Sequence, residues 1–220
     1  MKKVLVLASL AGALILAGCG DDTTGPTPVE QTYFPMVVGD YWTWDYTSYQ
    51  DLPGIQNDST EEGTRTWTVD QLVTHQSGFQ LYQVTLSDSI VLYYQSTPVD
   101  TAVYSYTEYY RVTDDFVRCY YSLEDTTFWL ELDLPLYDGK TWYDVENALY
   151  TVMSMDTTLS LPFGTADSCA WVQEHWGEYM LTWDNWFYQP GAGPVKRVYR
   201  QEYQASEYVS TWELTGSSRL

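Results

Sequence analysis

From Tyr41 onward, apolar and polar residues alternate in short aromatic and β-branched runs separated by turn signals, a period of two that predicts strands rather than helices. In Tyr41-Trp42-Thr43-Trp44-Asp45-Tyr46 one face carries Trp42, Trp44 and Tyr46 while the other carries Thr43 and Asp45, so a packed face opposes a wet one. In Thr126–Asp133 the same reading puts Phe128, Leu130 and Leu132 on one side and Trp129, Glu131 and Asp133 on the other. Predicted strands are Tyr41–Tyr49, Thr64–Gln76, Phe79–Ser87, Ser89–Gln95, Ala102–Val112, Phe116–Ser122, Thr126–Asp133, Tyr150–Thr158, Ser168–Trp176, Tyr179–Asn185, Val195–Gln204 and Glu207–Leu214. Ser77-Gly78, Asp114-Asp115, Glu124-Asp125, Gly177 and Ala205-Ser206 suit tight hairpins, and longer loops are expected at Asp51–Gly63 and Leu134–Asn147.

No βαβ rhythm and no repeat of 20–50 residues is evident, which argues against a parallel sheet, a propeller or a solenoid. A sheet of about ten or more strands curls, and closing removes its edges. The expected fold is therefore all-β, a single antiparallel, strongly curved sheet or open barrel of about ten to twelve strands with little helix.

The first residues follow another pattern. Met1-Lys2-Lys3 is basic, and the run Val4–Gly18 is apolar except for Ser9. That run is too short for a span of about 20 residues but suits a signal-peptide core of about 7 to 15. After Cys19, nine of the twelve residues Gly20–Gln31 are Gly, Asp, Thr or Pro, a composition that cannot bury apolar area and reads as a tether. The chain thus divides into a signal peptide at 1–18, a disordered tether at 19–31 and a β domain at 32–216. Phe34–Asp40, between tether and first strand, is expected to plug one end of the sheet.

Composition sharpens this reading. Of 220 residues 45% are hydrophobic and 17% aromatic, with 21 Tyr and 10 Trp, so side chains suited to strands must fill most of the core. Thirty acidic residues against ten basic ones give a formal charge of -20, which repels phosphate-rich partners and excludes nucleic-acid binding. Removing residues 1–18 takes away two lysines and no acid, so the mature chain is more acidic still, and its membrane contact would be a lipid alone.

Candidate chemistry is sparse. His75 and His175 stand a hundred residues apart outside any metal-ligand spacing and are expected to be exposed strand residues, so no metal and no cofactor are expected. No nucleophile context occurs, no catalytic residue is named, and the chain is read as a non-enzyme. Gly191-Ala192-Gly193 lies between prolines without a following helix and is read as a turn rather than a phosphate cradle. Cys119 and Cys169 are either a disulfide pair in an oxidising compartment or two buried thiols. Trp171, Trp176, Trp183 and Trp186 crowd the last third of the chain; they either fill the core or contact a ligand through their rings.

Several segments resemble a broad group of uncharacterised bacterial lipoproteins. They are Leu16-Ala17-Gly18-Cys19, which is similar to a lipobox; Phe34-Pro35-x-x-x-Gly39-x-x-Trp42; Leu132-Asp133-Leu134-Pro135-Leu136-x-x-Gly139-Lys140-x-Trp142; Phe163-Gly164-Thr165-x-Asp167-x-Cys169; and Pro190-Gly191-Ala192-Gly193-Pro194-Val195-Lys196. The resemblance implies lipidation of Cys19, anchorage in the bacterial cell envelope and an all-β domain, and it implies no activity. Gly20 stands where an inner-membrane retention signal resembling that of enteric lipoproteins would carry Asp, which points to the outer membrane, and Asp21-Asp22 resembles the surface-export signal of some lipoproteins, so either leaflet, periplasmic or surface, is open. The functional expectation is a binding or scaffold domain, with a carrier of lipid or apolar ligand, or a glycan binder using exposed aromatics, as alternatives.

Overall fold

A computed structural model describes residues 32–51, 59–176, 181–203 and 206–220, so Cys19, its lipobox and the tether lie outside the described residues, as does Gly177. The fold is all-β, with no helix among the described residues: one twelve-stranded antiparallel sheet nearly closed as a barrel. Its strands are β1 (Tyr41–Asp51), β2 (Ser59–Thr74), β3 (Gln80–Tyr94), β4 (Thr97–Val112), β5 (Phe116–Tyr120), β6 (Trp129–Asp133), β7 (Thr141–Tyr143), β8 (Leu149–Leu161), β9 (Gly164–Trp176), β10 (Leu181–Gln189), β11 (Gly193–Tyr203) and β12 (Ser206–Ser217). They lie in the order β6-β5-β4-β3-β2-β1-β12-β11-β10-β9-β8-β7. Two meanders are therefore joined where the first strand pairs with the last, and the free edges β6 and β7 come from mid-sequence. Those edges are bridged by side chains: Trp142 of β7 donates its indole N–H to the carbonyl of Leu130 on β6 at 3.1 Å, and Lys140 reaches Asp133 at 3.3 Å.

The alternation read in β1 holds, with Trp42, Trp44, Tyr46 and Ser48 buried inside. Tyr33, Phe34 and Met36 close one end of the barrel as a plug that belongs to the core. Around it stand Val69, Val84, Val117, Leu132, Val152, Val172, Val195 and Leu214, each at most 1% exposed. The Trp42 indole donates to the carbonyl of Ala192 at 2.7 Å, and Gly193, which passes beside Pro35 and Trp42, has φ +90°, a conformation that L side chains rarely adopt.

Several expectations need correcting. Phe79–Ser87 and Ser89–Gln95 are one strand, β3, because Asp88 turns inward onto Arg65 instead of breaking the run. The loop expected at Leu134–Asn147 contains the edge strand β7, and the loop expected at Asp51–Gly63 gives up Ser59–Gly63 to β2. The β3–β4 hairpin turns at Gln95-Ser96, both at positive φ, a turn without the glycine that would have announced it. His75 is not an exposed strand residue: it is 3% exposed in the turn after β2, accepts from the Ser77 N–H at Nδ1 and donates from Nε2 to the Asp125 carbonyl. Its ring stacks on Phe79 at 4.3 Å. His175 is half-buried on β9. Cys119 on β5 and Cys169 on β9 are buried free cysteines.

β6 departs from its expected facing. Cys119 pairs with Trp129 and Val117 with Leu132, while Arg118 pairs with Leu130, leaving Glu131 as the extra residue of a bulge. The bulge places Trp129, Glu131 and Leu132 all inward, breaking the strict alternation assumed from the sequence.

Candidate functional site: a polar cavity in the barrel

Beyond the apolar layer around the plug, the inward positions change character. On β2 and β3 they are Trp67, Arg65 and Leu86; on β4, Tyr110, Glu108 and Tyr106; on β9 and β10, Glu174, Trp176, Trp186 and Asp184; on β11, Arg197. With Tyr150, Cys119, Trp129 and Glu131, these side chains enclose a cavity of about 310 Å³. Exposed Tyr106, Tyr121 and Glu146 also line it, so it reaches the surface there.

Two ion pairs stand in its wall. Arg65 meets Asp88, directly opposite across β2 and β3, through Nε at 2.7 Å and Nη2 at 2.6 Å. Arg197 meets Asp184 through Nε at 2.9 Å and Nη2 at 2.5 Å. The guanidinium of Arg197 lies 4.6 Å from the Trp186 ring and 4.5 Å from the Trp212 ring, and Arg65 approaches Trp212 from 5.2 Å. Burial works against the charge on Arg197, but Asp184 outweighs it and holds the group above its ordinary value. Bidentate pairing of this kind fixes the orientation of the guanidinium as well as its charge.

The remaining carboxyl groups lack such partners. Glu174 faces Asp184 directly across β9 and β10, a like-charge opposition, and is pushed up to about 7 by burial and by Asp184. Tyr150 stands directly opposite it on β8 and works the other way, favouring its charged form. Glu131 is enclosed by the barrel wall although wetted by the cavity; burial, with Glu108 and Glu174 nearby, pushes it up to about 8. Burial also raises Glu108, which accepts from the Tyr110 hydroxyl at 2.6 Å. One buried donor completes the inventory: the indole N–H of Trp67, a residue 6% exposed on the cavity wall, has no acceptor among the described residues. A buried unpaired donor costs about 1–3 kcal/mol, so its presence in a cavity wall is informative.

The four tryptophans singled out from the sequence are divided between two places. Trp176 and Trp186 line the interior cavity. Trp171 and Trp183 stand on the outer face of β9 and β10, in an open groove of about 420 Å³ shared with Gln173, Asn185, Phe187, Val198, Arg200 and Glu202. There the Trp171 indole donates to Asn185 Oδ1 at 2.9 Å and stacks near Phe187. All four are half-buried. The sequence reading missed the interior Arg, Asp and Glu residues because acidic side chains are so frequent that none stood out. The available signal was an Arg or Asp at an inward position of an alternating strand, as at Arg65 and Arg197.

Fold and cavity define the class: a nearly closed antiparallel β-barrel with a polar, aromatic-walled interior cavity. No known protein family matches the chain, and no curated protein matches it. Among solved structures, it is similar to a protein of Bacteroides fragilis described as exported and of YmcC-like fold, at 15% identity and a TM-score of 0.40, covering 84% of this chain and 98% of that one. It is also similar to a protein of Parabacteroides distasonis described as a lipoprotein, at 15% identity and a TM-score of 0.31, covering 83% of this chain and 98% of that one.

Proposed function

We propose that the chain is a lipid-anchored protein of the bacterial cell envelope, held at the outer membrane through Cys19, whose barrel takes up a small polar molecule without transforming it. The observation that carries the binding reading is the unpartnered indole N–H of Trp67 in a cavity walled by rings, two oriented ion pairs and three further carboxyl groups. Pockets that hold small ligands combine apolar and aromatic walls with a few placed polar groups, and this volume lies at the small end of their usual range. An apolar lipid tail is disfavoured, because it would leave Arg65, Arg197, Glu131 and Glu174 against hydrocarbon.

Anchorage is tested by intact-mass analysis of the membrane fraction. Acyl mass on a chain beginning at Cys19, and its loss in Cys19→Ala, is the expected outcome. Binding is tested by tryptophan fluorescence and thermal shift against sugars, amino acids, amines and fatty acids. Response to a polar compound, reduced in Trp67→Phe, supports the reading; response to fatty acids alone refutes it. A second reading, glycan binding on the outer groove, is favoured by Trp171 and Trp183 flanking the amides of Gln173 and Asn185. It predicts a sugar response abolished by Trp183→Ala and untouched by Trp67→Phe.

A further inference from the structure

Resting on the reading of the cavity as a binding site, we infer that the molecule it takes is an organic cation: an ammonium group, primary or quaternary, on a small body that also carries a hydroxyl or carbonyl oxygen.

The charge inventory points there. Both arginines of the cavity wall are already committed, Arg65 to Asp88 and Arg197 to Asp184. Glu108, Glu131 and Glu174 form no ion pair with a Lys or Arg among the described residues; Glu108 accepts from the neutral Tyr110 hydroxyl at 2.6 Å. The cavity therefore holds more acidic than basic side chains; once its glutamates ionise it carries a negative excess, to which an anionic ligand would add. The three glutamates also titrate higher than usual chiefly because burial disfavours their charged forms, a cost that an incoming cation offsets.

The walls match the same chemistry. Trp129, Trp176, Tyr106, Tyr121 and Tyr150 stand around the acids, and aromatic faces attract ammonium groups, more so when water is excluded. The protein already uses this attraction internally, with Arg197 held between Trp186 and Trp212. A bare metal ion is a poorer occupant: among the described residues no three His, Cys, Asp or Glu side chains converge closely enough to hold one. The Trp67 N–H is a donor and cannot serve a cation, so it calls for an oxygen on the same molecule.

The test compares choline with 3,3-dimethylbutan-1-ol, which has the same shape without the charge, using the full chain in non-ionic detergent at pH 8. Calorimetry and tryptophan fluorescence read binding. Choline is expected to bind at least tenfold more tightly than the neutral compound. Glu131→Gln with Glu174→Gln should weaken choline at least tenfold, whereas Asp114→Asn on the exposed β4–β5 turn should leave it unchanged. Equal binding of the two compounds overturns the cation assignment while leaving a polar-ligand cavity standing, and so does a sugar that binds while choline does not. Failure of both choline and spermidine to bind overturns it as well, as does loss of choline binding in Trp183→Ala, which would put the site in the outer groove. Should the double variant not fold, the comparison of choline with its neutral counterpart still decides the matter on the unmodified protein.

Discussion

The guanidinium of Arg197 reaches Asp184 diagonally across β11 and β10, with Nη2 2.5 Å from Oδ2, while Trp186, its direct cross-strand partner, lies beneath it. Asp184 is 4% exposed, so its charge has little access to water other than through this pair. Replacing Arg197 by Met should therefore destabilise the domain by about 3 kcal/mol, since it strands a buried carboxylate. Replacing Arg200, half exposed and paired with Glu202 and Glu207, should change stability by less than about 1 kcal/mol. Urea unfolding of the two variants checks the contrast; similar losses would mean that Asp184 is not isolated from solvent.

Stability should fall between about pH 4.5 and pH 8. Glu131 and Glu174 titrate near 8 and 7 in the folded protein against an ordinary 4.5, so the folded state retains protons that the unfolded chain has released. Their favourable contribution is complete below about 4.5 and is lost as pH rises through 7 to 8. Urea midpoints at pH 5 and pH 8 measure it, and Glu131→Gln, which stays neutral, should flatten the difference.

Gly63→Ala should disrupt the β2–β3 pairing. A Cβ there would stand 2.1 Å from the Ser89 carbonyl oxygen and 2.8 Å from the Ile90 Cα, both backbone atoms that cannot swing aside. A loss of at least about 2 kcal/mol is expected, by the same logic as overpacking a core. Gly216→Ala, with open space around it, should be close to neutral. Thermal melts of the pair are sufficient.

The tryptophans should separate by face. Trp186 packs near Tyr188 and Trp67 and supports Arg197, so Trp186→Ala should cost about 3 kcal/mol. Trp183→Ala, on the outer groove, should cost less than about 1 kcal/mol and move any sugar response instead. Melting temperatures of the two variants read the difference.

Trp142→Phe should loosen the seam. It keeps the ring that stacks on Tyr150 but removes the donor to Leu130, one of the side-chain links between the two free edges. A loss of about 1 kcal/mol is expected, with faster amide exchange in β6 and β7 than in the paired strands.

Period-two alternation, turn residues and a core supplied by Tyr and Trp determined the all-β antiparallel class and most strand positions, because these are local properties of the chain. Trp42, Trp44 and Tyr46 had to face one way whatever lay opposite. The closing of β1 onto β12 pairs residues as far apart as Trp42 and Ser217, and no local pattern specifies such partners. The site depends wholly on that step. Arg65 and Asp88 read as ordinary polar residues until the β2–β3 register sets them opposite each other. Glu131 read as outward until a bulge turned it in. Trp171 and Trp176 differ by five positions on one strand and so fall on opposite faces, a parity visible in the sequence; which face was the inside, and that it held acids rather than more hydrocarbon, was settled only when the sheet closed around it.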